Sequence, residues 1–267
     1  MLKNLFSYKL LIGYLIVLIF ICTSCKSYQN IAYFQDLPDS LKITKLQQAK
    51  YLQPVIQPDD ILSIVVQTID PASVASINLA PSVSGAGLSA INPIGNQQIS
   101  GFLVDKNGQV QLAMIGKVNL IGLTTDEARD LITKKVSEFY KDPSVQVRFA
   151  NFKVTVIGEV AKPATYTVVN EKVSLLDALG YAGDLTIYGK RENLLLIRDN
   201  NGQKEFVRLN LNSSEIFKSP YFYLKQNDVI YIEPNKAKAA TTDASRTRMF
   251  TILASVISVA IVIISRI

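Results

Sequence analysis

Hydrophobic and polar positions change their period repeatedly between Gly101 and Phe149, and each change is punctuated. After Asn107-Gly108, a dipeptide that tolerates positive φ, Val110, Leu112 and Met114 alternate with Gln111 and Ala113. With Leu103 and Val104 leading into that turn, a β-hairpin is expected. From Thr124 the spacing turns helical: Thr124 and Glu127 have capping-box spacing, and Ala128, Leu131, Ile132, Val136 and Phe139 follow the i, i+3, i+4 rule of one buried face. Asp142-Pro143 ends the helix. Val145, Val147 and Phe149 then alternate with Gln146 and Arg148, the mark of a half-buried strand. A hairpin, a helix and a returning strand make a small layered unit of α+β class.

Upstream, Ile61 to Thr68 reads as a strand, whereas Asp70 to Ser100 holds few large apolar residues beside Pro71, Pro81 and Pro93. A loop of that length is usually functional or disordered, so this one is either a mobile excursion or a segment facing a channel or partner. Its Gly85-Ala86-Gly87 lacks the strand-to-helix setting of a phosphate cradle. Downstream, Phe152–Val160 and Thr165–Val169 read as strands joined at Pro163, and Ser174 caps a short helix through Leu179 that stops at Gly180 and Gly183. Leu194–Ile197 and Glu205–Leu209 flank Asn200-Asn201-Gly202, a second hairpin signal, and Asp228–Ile232 closes the unit before Pro234. Strands wrapped around one short helix fit a β-grasp unit.

The two ends of the chain are the most apolar. Lys3 and Lys9 precede the apolar run Leu10–Ile21, and Thr23-Ser24 supply small residues before Cys25. The segment resembles a lipoprotein signal peptide, with cleavage before Cys25 and lipid on its sulfur. Cys22 stands where leucine is usual, and an uncleaved anchor helix is the alternative. Lys26 to Gln53 is polar with scattered aromatics, which suits a tether lying along the folded body.

At the other end, Met249 to Ser265 is uncharged and apolar. As a helix it spans roughly 26 Å at about 1.5 Å per residue, close to a hydrocarbon core of about 30 Å, so a bilayer crossing is expected. Lys236, Lys238, Arg246 and Arg248 precede it and only Arg266 follows. If the leader exports the body, that asymmetry opposes the positive-inside preference of an inner membrane, and an outer membrane removes the conflict. Thr251, Ser255, Ser258 and Ser265 share one narrow stripe with Ala254, suited either to helix packing or to lining a pore.

Composition narrows the chemistry. The 267 residues accommodate one large or two small domains, and loss of Lys3 and Lys9 with the leader lowers the formal charge of +6 by two, too mild a balance to imply nucleic acid. Histidine is absent, which removes the residue most used for proton transfer and zinc ligation near neutral pH. Cys22 and Cys25 close an apolar run with no second ligand pair, so a redox or metal CxxC is disfavoured and no metal or cofactor is expected. The adjacent carboxylates Asp59-Asp60 and Asp126-Glu127 precede a strand and occupy a helix's first turn, positions that structure explains. Glu159, Asp177 and Asp184 are candidates to meet a ligand, though turn and surface roles suit them better. No enzymatic motif is present.

Val104-Asp105 with Gly108, Ile115-Gly116, Gly122-Leu123-Thr124 and Asp142-Pro143-Ser144-Val145 occur in the order and spacing of the polysaccharide export domain of Wza-type outer-membrane lipoproteins, which this stretch resembles. Ile56-Gln57-Pro58-Asp59-Asp60-Ile61-Leu62 resembles that domain's opening segment, with Asp59 where glycine is usual. Val154 to Pro234 resembles a soluble-ligand-binding β-grasp (SLBB) module, with Ala164 and Asp184 in place of two glycines.

The resemblance implies a signal peptide over 1–24, a tether over 25–53, an export domain over 54–151, an SLBB domain over 152–234, a linker over 235–247 and a transmembrane helix over 248–267. It further implies a homo-oligomeric ring in the outer membrane, lipid-anchored at Cys25, with its body in the periplasm. Capsular or exopolysaccharide is then the substrate, and an inner-membrane polysaccharide copolymerase is the partner. The competing expectation is a lipid-anchored periplasmic ligand or glycan binder without a pore.

Overall fold

The protein's structure, a computed structural model, describes residues 31–38, 45–79, 82–83, 99–200, 202–238 and 244–266. The architecture is mixed α+β. In the first unit, β1 (Ile61–Gln67) lies between β4 (Phe102–Leu103) and β7 (Ser144–Phe149), all antiparallel. The alternation read at Val145, Val147 and Phe149 holds, since these three are buried and Ser144, Gln146 and Arg148 exposed. Helix α1 (Thr125–Val136) packs on β7 through Ala128, Ile132 and Val136, and its capping box is complete: the Glu127 amide donates to Thr124 Oγ1, and the Thr124 amide donates to Glu127 Oε2.

The hairpin forms with a different partner from the one expected. Strand β5 (Gln109–Leu112) pairs forward with β6 (Gly116–Asn119), not back with Leu103-Val104, which belongs with β1. At Asn107-Gly108 the chain does turn, but the Asp105 carboxylate shapes that turn by accepting from the Asn107 and Gln109 amides. The hairpin's own turn is built on Met114 at φ 64° and Gly116 at φ 83°. Methionine is no turn-former. Its sulfur is held here by the Ser76 and Tyr140 hydroxyls.

Phe139, expected on the buried face, is 57% exposed. The helix stops at Val136, where the Ser137 amide bonds back to Thr133, so the 3.6-residue period no longer governs position 139.

The segment after Asp70 is partly tied down: Val74 and Ile77 are buried, and the Asn78 amide group donates to Val66 O and accepts from Val66 N. Ser82–Val83 (β2) and Ile99–Ser100 (β3) pair as a short ribbon. Asn78 has a second effect, because it occupies the Val66 backbone groups beyond the reach of β4. β7 has no strand beyond it among the described residues.

The second unit is a five-stranded sheet in the order β11-β10-β12-β8-β9. Its strands are β8 (Lys153–Gly158), β9 (Ala164–Thr167), β10 (Gly189–Asn200), β11 (Gln203–Leu209) and β12 (Val229–Pro234), with helix α2 (Leu175–Tyr181) packed against β8. β8 and β12 run parallel and the other pairs antiparallel. Gly158, at φ +95°, lies so close to β12 that a Cβ there falls 2.1 Å from Ile232 O. The second hairpin signal is met, with Asn200 opposite Gln203. Leu194, Leu196, Ile230, Ile232, Val154 and Val156 fill the core.

Helix α3 (Ala244–Arg266) follows. Its apolar residues from Met249 to Val259, with Val262 and Ile263, are exposed. Among the described residues no helix is long and apolar enough to cross a membrane. The crossing expected of residues 248–267 is therefore not among the structural findings.

Candidate functional site

A concavity of about 570 Å³ lies where the two units meet. One wall is β7 along its open flank, from Ser144 to Arg148. The other is the first turn of α1, with Thr125, Asp126 and Arg129, and Glu171 from the second unit closes one end. Across the mouth, Thr125 Oγ1 donates to Glu171 Oε2 at 3.0 Å, Gln53 Nε2 to Asp126 Oδ2 at 2.9 Å, and Arg129 pairs with Asp126 at 2.7 Å. Burial raises the Glu171 carboxyl above its ordinary range, partly offset by the Thr125 hydroxyl. Amides, hydroxyls and alternating charges line this cleft. Such a surface can hydrogen-bond a polar, extended chain.

Asp60 joins the units beneath it. The carboxylate is 6% exposed; Gln57 N donates to its Oδ2 at 2.8 Å and Gln226 Nε2 to its Oδ1 at 2.7 Å. Desolvation, with the Asp59 charge adding to it, pushes Asp60 up to about 6. Gln226 Oε1 is buried without a hydrogen-bond partner.

Four other carboxylates singled out in sequence hold local structure. Glu127 and Asp177 complete the capping boxes of α1 and α2. Glu159 accepts from Thr186 Oγ1 and pairs with Lys238, while Asp184 accepts from the Leu185 amide and the Tyr33 hydroxyl. Among the described residues no cluster of three or more potential metal ligands occurs.

Cys25 lies outside the described residues. Thr251, Ser255 and Ser258 are on α3 as expected, and their hydroxyls donate back to Arg248 O, Ile252 O and Ala254 O. The side chain of Ser265 lies outside the described set. Sequence reasoning missed the Asp60–Gln226 link and the Glu171 lid, because each pairs residues far apart in the chain. It also passed over the buried Arg198–Asp228 pair, whose only signal was an acid at the start of an apolar strand.

Residues 48–150 match the model of the polysaccharide biosynthesis/export protein family. The chain is also similar to the EPS I polysaccharide export outer membrane protein EpsA of Ralstonia solanacearum, at 26% identity over 202 residues, which is 73% of this chain and 51% of the relative. A namesake from Ralstonia nicotianae is 31% identical over 147 residues, covering 52% of this chain and 37% of that relative. The chain thus spans about half or less of the curated relatives it matches. Both relatives are named as polysaccharide export outer membrane proteins.

Proposed function

We propose, from the match of residues 48–150 to the polysaccharide biosynthesis/export protein family, that the chain exports a capsular or exopolysaccharide across the outer membrane, as one subunit of a Wza-type oligomeric channel. That family match is the observation on which the reading rests. In it, Cys25 is lipidated after cleavage of residues 1–24, the body stands in the periplasm, and residues 152–234 act as an SLBB β-grasp module. The parallel pairing of β8 with β12 and the single helix against the sheet support that module. An inner-membrane polysaccharide copolymerase delivers the glycan from below, and transport through this subunit is passive.

The C-terminal helix is the second membrane attachment in this reading. Read over the whole run, Met249 to Ser265 carries no charge, and a 23-residue helix is roughly 34 Å long at about 1.5 Å per residue. Hydroxyls that bond to their own helix need no outside partner, so Thr251, Ser255 and Ser258 do not oppose burial in lipid or against neighbouring helices. An acyl chain together with a spanning helix anchors stably where one chain alone is marginal.

Deleting residues 248–267 tests the reading. The expected result is loss of surface polysaccharide with the truncated protein still made and folded; unchanged export overturns the conduit. A detergent-solubilised mass equal to one chain overturns it as well, since one helix encloses no channel.

A further inference from the structure

Both ends of the described body leave the second unit beside the same loop. On the N-terminal side, Tyr33 donates its hydroxyl to Asp184 and lies over the Arg191 guanidinium at 6.0 Å, while the Phe34 and Gln35 amides bond to Leu211 O and Asn212 O. On the C-terminal side, the Asn235 amide bonds to Tyr188 O, and Lys238 pairs with Glu159 at 3.2 Å with its ammonium 5.4 Å from the Tyr188 ring. Between these two docks runs Asp184 to Tyr188, held from below by Arg191, which donates to the carbonyls of Thr186 and Gly189.

The loop is built for an interface with something apolar. Ile187 stands 61% exposed in this loop. Tyr181, 45% exposed, stands three residues before the loop, with its ring 6.2 Å from that of Tyr166. The turn carrying Lys162 is fastened to the same place through Lys162 N to Ala182 O and Ala161 N to Asp184 O. An exposed branched aliphatic flanked by tyrosines and a lysine is the composition that settles at the level of lipid headgroups.

Chain length says what covers it. Six positions separate Ile31 from Cys25 and six separate Lys238 from Ala244, and six residues reach at most about 20 Å. If Cys25 bears lipid and α3 enters the bilayer, as the proposed function has it, both tethers draw this pole of the second unit against the membrane surface.

We propose that the Asp184–Tyr188 loop, led by Ile187 with Tyr181 three residues before the loop, docks on the lipid surface of the membrane that holds the chain's two ends. The export domain then points away from that surface. The inference rests on the membrane reading above but is separable from it.

The sequence contains no tryptophan, so a single introduced one reports without background. Ile187→Trp, Val256→Trp and Phe139→Trp are to be made in the full-length chain and reconstituted into vesicles of phosphatidylethanolamine and phosphatidylglycerol carrying brominated acyl chains. The expected result is a blue-shifted, quenched Ile187→Trp at a depth of roughly 5–10 Å, a deeply quenched Val256→Trp, and an unquenched Phe139→Trp. Quenching of Val256→Trp without Ile187→Trp overturns the docking proposal and leaves the helix insertion standing. Equal quenching of Phe139→Trp and Ile187→Trp overturns the assigned orientation. If neither Val256→Trp nor Ile187→Trp is quenched, the membrane reading falls and the docking goes with it. Tyr181→Trp, on the same pole, repeats the measurement if Ile187→Trp fails to fold.

Discussion

The two units each bury an aspartate, and they treat it oppositely. In the second unit Asp228 is fully buried against Arg198, with two charge-assisted hydrogen bonds of 3.0 and 2.7 Å, and its Oδ2 also accepts from the Lys225 amide. Arg198 in turn donates to Tyr223 O and lies 5.2 Å from the Tyr221 ring. In the first unit Asp60 receives only neutral donors, Gln57 N and Gln226 Nε2, with Asp59 as its charged neighbour. A buried acid with a bidentate cation locks its surroundings in place. One without a cation leaves a burden that protonation relieves, and here that acid is one of the links between the units.

The largest expected effect comes from breaking the pair. Asp228→Ala leaves Arg198 buried and uncompensated, and the second unit is expected to lose about 3–5 kcal/mol in a denaturant titration. A loss under about 1 kcal/mol means water reaches Arg198 and the contrast is false.

Next is Asp60. Its folded pKa of about 6 lies above the ordinary 3.8, so the native state binds the proton more tightly. The stability this contributes is complete below about pH 4 and is lost as pH rises through about 6. Asp60→Asn is therefore expected to stabilise the chain by roughly 1–3 kcal/mol near pH 7 and by almost nothing near pH 4. Gln226 Oε1, buried without a partner, accepts from the new amide once the glutamine turns over. A pH-independent gain removes desolvation as the cause.

Glu233 in the second unit runs the other way. Lys190 and Arg208 hold it down to about 2 from 4.5, so its contribution is present above pH 4.5 and lost as pH falls through about 2. Acidification from neutral thus first relieves the first unit and only later loosens the second, an order that amide exchange followed by mass spectrometry resolves.

The smallest effect tests where the units agree. Thr124→Ala and Ser174→Ala remove equivalent capping boxes, and each is expected to cost about 1 kcal/mol. A marked difference between them locates extra strain in one unit.

Much of this was legible in the sequence because local signals agreed with the fold. The capping boxes, the alternation of β7 and the Asn200–Gly202 hairpin are each set within a few residues. Two departures from the family pattern were legible in hindsight: Asp59 and Asp184, standing where glycine is usual, have φ of 70° and 71°. Aspartate tolerates that left-handed region better than most residues, so the glycine preference reports a backbone conformation rather than a ligand.

What stayed hidden was non-local. No period predicts that Gln226 reaches Asp60 or that Glu171 closes a cleft against Thr125. The Met114 turn hid for another reason: tertiary contacts from Ser76 and Tyr140 hold a residue whose own propensity says nothing of turning.

The side-chain amide of Asn78 has one last consequence. By taking up both Val66 backbone groups it guards one end of a flank that β4 covers only at the other, so β7 is the longer uncovered border of the first sheet among the described residues. A strand from a second copy adds to this sheet at β7 before anywhere else.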